Sequence, residues 1–331
     1  MLGLVLGCGQ ADSDAPLGSL AQPIIKGSQS QDADDAVVYI HTHMPSSDDI
    51  ACSGTLVAPN LVITALHCVT SAVLGNFSCM PDGSIQTQGI DGTIGSLVPP
   101  SNVTVYVGNK VGTAPTAKGA RLFGTGSTQI CQNDLALVLL DQAVDAPIAT
   151  IRLDKKITWG DTVRVLGFGE TDTNDSGGYR YERDDVQIID VGPSSDGEPT
   201  RTAAPRTFVV SEGPCHGDSG GPAFSQATGA LLGAYSLTAA PSCQTVGIRN
   251  VFTALAPFSQ LIMSAFDAAG AEPQLEDPPS SDDPATTAPP PSTVKTSGCS
   301  LTTPGEERHG AGFFALVGVG ALGWFGRRRR G

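Results

Sequence analysis

The chain has little of what an alternating α/β protein needs. Apart from residues 256–270, where Phe258, Leu261, Ile262, Ala265 and Phe266 fall on one helical face, few segments carry a helical period. Aromatic residues make up 5% and charged residues 16%, whereas glycine and proline number 40 and 24, a composition that suits short strands joined by many turns. Positive charge is scarce: 19 Lys and Arg stand against 33 Asp and Glu, and the net charge of −14 argues against nucleic acid or an acidic lipid surface as a partner. No cysteine pair is spaced C-x-x-C, so no zinc site is expected, and nothing calls for another metal or cofactor. Histidine occurs only at 41, 43, 67, 216 and 309.

Strand-like runs are plentiful. They appear at Val37–Ile40, Leu61–Ala65, Val103–Val107 and Leu135–Leu140 and, after a polar connection near 145–160, at Val163–Gly169, Val186–Val191, Phe208–Val210, Ala230–Ser236 and Val251–Ala254. Thr171–Asp185 and Ser194–Arg206 read as exposed loops, and residues 256–268 as a closing amphipathic helix. Eight cysteines lie at 8, 52, 68, 79, 131, 215, 243 and 299; the middle six allow many connectivities, so spacing alone does not pair them. If Cys52 and Cys68 pair, the bridge closes a loop of about 15 residues, worth roughly 3 kcal/mol, and pins the backbone of His67.

The ends differ in texture. Residues 1–23 read as a leader, with an apolar start running to Cys8 like a lipoprotein signal, followed by a propeptide. From 269 to 298 proline, serine, threonine and acidic residues dominate, a composition for an extended linker. Residues 299–331 hold Cys299, an apolar run from Ala311 to Gly326 that is short for a membrane span, and the cluster Arg327–Arg330. His41 and His43 flank Thr42; without a third ligand they read as solvent-facing rather than as a metal face.

The stretch Gly213-Pro-Cys-His-Gly-Asp-Ser-Gly-Gly-Pro222 concentrates chemistry-bearing groups. Its serine fits the nucleophile elbow of an α/β-hydrolase, the nucleophile loop of a β-barrel protease, or a plain glycine-rich turn. Residue order separates the two enzymes. An elbow needs acid and histidine after the serine, yet only His309 follows Ser219, and it lies beyond the linker. His67, Asp134, Ser219 is instead the order of a chymotrypsin-type triad.

Five motifs in order carry a resemblance: Ile24-Ile25-Lys26-Gly27, Thr64-Ala65-Leu66-His67-Cys68, Asn133-Asp134-Leu135-Ala136-Leu137, Gly167-Phe168-Gly169 and Gly217–Pro222. From Ile24 to about Ala268 the chain resembles the trypsin/chymotrypsin-like serine proteases. That resemblance implies an all-β fold of two six-stranded antiparallel barrels, here about 24–150 and 151–255, with the site between them. It implies a serine endopeptidase with Ser219 as nucleophile, His67 as general base and acid, and Asp134 orienting the imidazole. The N–H groups of Gly217 and Ser219 would form the oxyanion hole. Cys52 with Cys68 and Cys215 with Cys243 match family bridges, which leaves Cys79 to Cys131. Asp218 would pair with a new amino terminus at Ile24 freed by an activating protease, although Pro23 stands where a trypsin-like activator would need Arg or Lys.

In the implied specificity pocket Gly213 replaces a charged floor, Ser236 buttresses Asp134, and Thr238 and Asn250 form walls, so a small or medium uncharged P1 residue is expected. His216 falls at the rim. The C-terminal segment resembles a myxobacterial surface-sorting signal processed near Cys299 by a sorting enzyme. Together with Cys8 it implies a monomeric, exported protein at the surface of a Gram-negative cell, acting on protein or peptide substrates. The alternative from another class is a catalytically silent, protease-shaped binding protein.

Overall fold

Some strands alternate buried and partly exposed side chains, as Val103–Tyr106 does, and others, such as Leu61–Thr64 and Thr207–Val210, are buried on both faces. In the computed structural model, residues 24–276 are described except 46, 88, 171–177, 195–201, 239–242, 244 and 246. The expected leader with Cys8 and the expected anchoring segment with Cys299 lie outside the described residues. Among the described residues no helix is long and apolar enough to cross a membrane.

The first barrel uses β1 (Val37–Thr42), β2 (Ile50–Ala58), β3 (Leu61–Thr64), β4 (Val103–Tyr106), β5 (Ala117–Gly124) and β6 (Ala136–Leu140). They close in the order β5-β6-β3-β2-β1-β4, all antiparallel. Val38, Ile40, Leu56, Val62, Val105 and Val138 fill it. The second barrel uses β7 (Thr162–Gly167), β8 (Tyr181–Val191), β9 (Thr207–Val210), β10 (Pro222–Ser225), β11 (Leu231–Thr238) and β12 (Asn250–Ala254). These run β8-β7-β10-β11-β12-β9 and close through β9 on β8, with Ser28–Gln29 added at the edge of β8. Its interior holds Val163, Val165, Ile188, Phe208, Leu232 and Phe252.

A third apolar cluster joins the barrels. Leu61, Ile63, Leu135 and Leu137 from the first meet Leu231 and Ala234 from the second, and Ile262, Ala265 and Phe266 of the helix α1 (Ser259–Ala269) cover them. The helix ends at Gly270, whose φ of 65° lets its N–H turn back to the carbonyls of Phe266 and Asp267.

Two boundaries differ from the sequence expectation. β8 begins at Tyr181, inside the expected loop, because its charged first half is paired: Arg164 of β7 reaches both Glu182 and Asp34. The linker expected from 269 starts later, because residues beyond α1 fold back onto the connection between the barrels. Ile151 and residues 274 and 276 exchange backbone hydrogen bonds, and the Arg152 guanidinium grips the Glu276 carboxylate with two bonds of 2.7 Å. That grip holds the Glu276 carboxyl down at about 2.

Arg180 is the largest fully buried side chain. Its guanidinium donates to Ser30 Oγ at 2.7 Å, Val37 O at 2.9 Å, Gln31 O at 2.6 Å and Asp35 Oδ1 at 3.0 Å, and so staples the segment after Ile24 to both barrels. Replacing it takes this donor from the buried Ser30 hydroxyl and Val37 carbonyl and leaves the Asp35 carboxylate without its guanidinium. Arg180→Met is expected to lower stability by about 3 kcal/mol, read as a reduced urea midpoint at unchanged m-value.

Candidate active site

Strand register brings the first two functional side chains together. Ala136 pairs with Thr64, so Asp134, just before β6, arrives beside His67 in the one-turn helix Leu66–Val69 that follows β3. A disulfide from Cys68 to Cys52 on β2 fixes that turn. Asp134 is fully buried; its Oδ1 accepts the His67 backbone N–H at 2.9 Å and its Oδ2 lies 2.7 Å from His67 Nδ1. Ser236 of β11 donates its hydroxyl to the same Oδ2 at 2.6 Å, so both barrels contribute donors to one carboxylate. With Nδ1 held by Asp134, the other ring nitrogen of His67 is left for chemistry in the cleft it lines with Ser219.

Ser219 lies in the loop between β9 and β10, and that loop is built on close backbone contacts. Its carbonyl accepts from Ser53 N–H at 2.8 Å. Ser53 Oγ donates to the Gly217 carbonyl at 3.1 Å while accepting from Phe168 N–H at 3.0 Å. Gly217 and Gly220 have φ of 89° and 79°, and a Cβ would come within 2.8 Å of Gly169 Cα at the first and 2.1 Å of Thr64 Oγ1 at the second. Among the described residues, no protein acceptor takes the N–H of Gly217 or of Ser219. Ser53 was not singled out from sequence, since a serine inside a strand gives no local sign that a loop 164 residues away rests on it.

Asp218 points the other way. Its carboxylate is buried and accepts N–H bonds from Gly169 and Cys215, both at 2.8 Å. Burial pushes its carboxyl up to about 7 against the pull of those two donors, and the nearby charge of Glu170 adds to the rise. Ile24 is fully buried among second-barrel residues such as Val163 and Phe252, and the next residue, Ile25, donates its N–H to Gly213 O at 2.8 Å. The start of the described chain is therefore docked against the Gly213 segment, with Ile24 joined through an amide to Pro23.

A cleft of about 720 Å³ opens over His67 and Ser219. His216 is exposed and lines it, as do Ser236 and Thr238. Gly213 and Asn250 are buried and neither lines the cleft, so the expected wall position of Asn250 is not seen. Asn250 is fully buried, donates Nδ2 to Ser211 O at 2.9 Å and accepts from the Tyr235 hydroxyl at 3.4 Å. The far wall carries residues 74–79 and 130–132, joined by the disulfide Cys79–Cys131, and the third disulfide links Cys215 to Cys243. The one group of metal-type ligand atoms among the described residues, Cys52, His67 and Cys68, has both sulfurs bonded to each other and offers no thiolate. On the surface, His41 and His43 bracket Asp49 at 3.1 and 2.9 Å.

The Asp218 carboxyl makes the uncut chain pH-sensitive. In the fold it holds its proton to about 7, while unfolded it would release it near the ordinary value of about 3.9. The folded state binds the proton more tightly, so this contribution to stability is present at acid pH and is lost as pH rises through about 7. The denaturant midpoint of the chain bearing its residues before Ile24 is expected to fall between about pH 5 and about pH 8, and Asp218→Asn to remove that component. Equal slopes for both proteins would show that Asp218 titrates as an ordinary carboxyl.

Comparison with known proteins agrees with this geometry. The Trypsin family model matches residues 24–262, more than half of the chain. Chymotrypsin-C of Bos taurus is 24% identical over 220 residues, covering 62% of this chain and 75% of that protein. The solved structure of HL collagenase superimposes with a TM-score of 0.56 at 19% identity, over 75% of this chain and all of the other, and shows the shared fold. With the family model spanning both barrels and the elements that carry His67, Asp134 and Ser219, the chain belongs to the trypsin family of serine proteases.

Proposed function

We propose that the protein is an endopeptidase that cleaves peptide bonds through an acyl-enzyme on Ser219. The observation that carries this reading is the buried Asp134 carboxylate held by both His67 and Ser236, with His67 and Ser219 on one cleft. Ser219 Oγ attacks the substrate carbonyl while His67 takes its proton; His67 then returns the proton to the leaving amine, and water repeats the sequence to free the acid. Asp134 keeps the imidazole in the tautomer that accepts at its free nitrogen. The N–H groups of Gly217 and Ser219, which have no protein acceptor among the described residues, suit the developing oxyanion, at about 3 to 4 kcal/mol per donor.

The pocket favours a small or medium uncharged P1 side chain. Gly213 supplies no carboxylate for Lys or Arg, Thr238 narrows the wall, and Tyr235 with Asn250 occupies the space behind. Activation follows from Asp218. Cleavage before Ile24 would free an amino group to pair with the buried Asp218 carboxyl, whose donors among the described residues are neutral, and that pairing would fix the Gly217–Ser219 turn. The expected route to the outside and attachment at the cell surface, with processing near Cys299, belongs to the same reading and rests on sequence resemblance alone.

A fluorophosphonate probe should label the processed protein, and Ser219→Ala should abolish labelling. Asp134→Asn should lower kcat/KM by about 10⁴-fold with little change in KM. Failure of the processed wild-type protein to label would favour a binding role. Amino-terminal sequencing of the labelled species should begin at Ile24, and an active form starting upstream would overturn the activation step.

A further inference from the structure

Arg249 is a cation on the wall of the cleft that holds Ser219, and nothing in the catalytic sequence uses it. It adjoins Asn250, which turns toward Ser211, whereas Arg249 donates Nη2 to Asp190 Oδ2 at 2.7 Å. Asp190 is buried and already collects three uncharged donors: Ser194 Oγ at 2.8 Å, Thr202 N at 2.7 Å and Ala203 N at 3.0 Å. The Arg249 side chain keeps 25% of its surface exposed, against 1% for Asp190. The pair is therefore a dipole with its positive end toward the cleft. His67, His216 and Arg249 are among the lining residues, and among the described residues no aspartate or glutamate is, in a chain whose net charge is −14.

The register says which part of a substrate would meet it. β11 carries Ser236, beside Asp134, and two residues on Thr238, which pairs with Asn250. An extended peptide laid on the edge of β11 that β12 leaves free advances about 3.3 Å per residue, so with P1 at Ser236 its P3 residue reaches Thr238, and Thr238 and Arg249 line the same cleft. A guanidinium fork can hold a second carboxylate while keeping its first. We propose that Arg249 is a specificity-determining residue that takes an Asp or Glu side chain at P3 or P4 of the substrate. This rests on the endopeptidase reading and adds to it a recognition element beyond the uncharged P1 pocket.

The test uses processed enzyme, titrated with a fluorophosphonate, and peptide substrates of fixed P1 in which Glu replaces the near-isosteric Gln at P2, P3 and P4 in turn. Wild type should prefer Glu by about 10-fold to 100-fold in kcat/KM at P3 or P4, with the preference falling as salt rises. Arg249→Ala should reduce it to about unity, and Arg249→Lys should keep part of it. Arg249→Gln, which retains an amide donor for Asp190, gives the same reading should the alanine variant not fold. Equal rates for Glu and Gln in a wild-type enzyme that labels would overturn this inference alone, as would a Glu preference that survives in Arg249→Gln. A wild-type protein that does not label would overturn the endopeptidase reading and this one together.

Discussion

A buried carboxylate shared by two barrels is the constraint from which the rest of the site follows. Asp134 sits where water cannot reach it, and an unpaired charge there would cost several kcal/mol. Its donors come from opposite sides: the His67 backbone and ring from the first barrel, the Ser236 hydroxyl from the second. Separating the barrels would strand the charge. The apolar cluster that joins them, from Leu61 and Leu135 through Leu231 to the helix at Phe266, therefore holds together both the fold and the catalytic geometry. The same closure places the loop of Ser219 against Ser53, a first-barrel residue whose hydroxyl spans Phe168 and Gly217.

Two other buried acids solve the same problem differently. Among the described residues Asp190 gathers three neutral donors and one guanidinium, and the backbone it captures, at Thr202 and Ala203, lines the cleft. Among the described residues Asp218 has two backbone N–H donors and no cation as hydrogen-bond partner, and its carboxyl is shifted toward the neutral form. The contrast gives Asp218 its meaning. A buried carboxyl held by neutral donors favours its protonated form, and a cation arriving beside it would favour the ionised one.

How much of this was legible in the sequence depends on the range of the signal. Period-two runs such as Val103–Tyr106 report their own burial, and the helical repeat from Phe258 to Phe266 reports a closing helix, so the all-β class with one helix could be read directly. The order of His67, Asp134 and Ser219 excluded the rival hydrolase fold before any geometry was known. Arg180, Ser53 and the pair of Asp190 with Arg249 were not found, because each acts on residues far away in the chain and leaves no local period. The charged start of β8 was read as a loop for a related reason: Glu182 looks like a solvated residue until Arg164, 18 positions earlier, is placed on the neighbouring strand.

Arg249 and Asn250 show why the pocket was the least legible part. Both follow the stretch after Cys243, which carries no strand or helix period, and a shift of one position exchanges a buried amide for a cleft-facing cation. In a strand, neighbours point to opposite faces, so that single step decides whether the chain presents charge to the substrate or to its own floor. The structure uses both faces. Asn250 is buried against Ser211 and Tyr235, while Arg249 lines the cleft with its counter-charge sunk behind it. Burying the partner matters: an exposed aspartate at that wall would cancel the field that Asp190, placed beneath, only anchors.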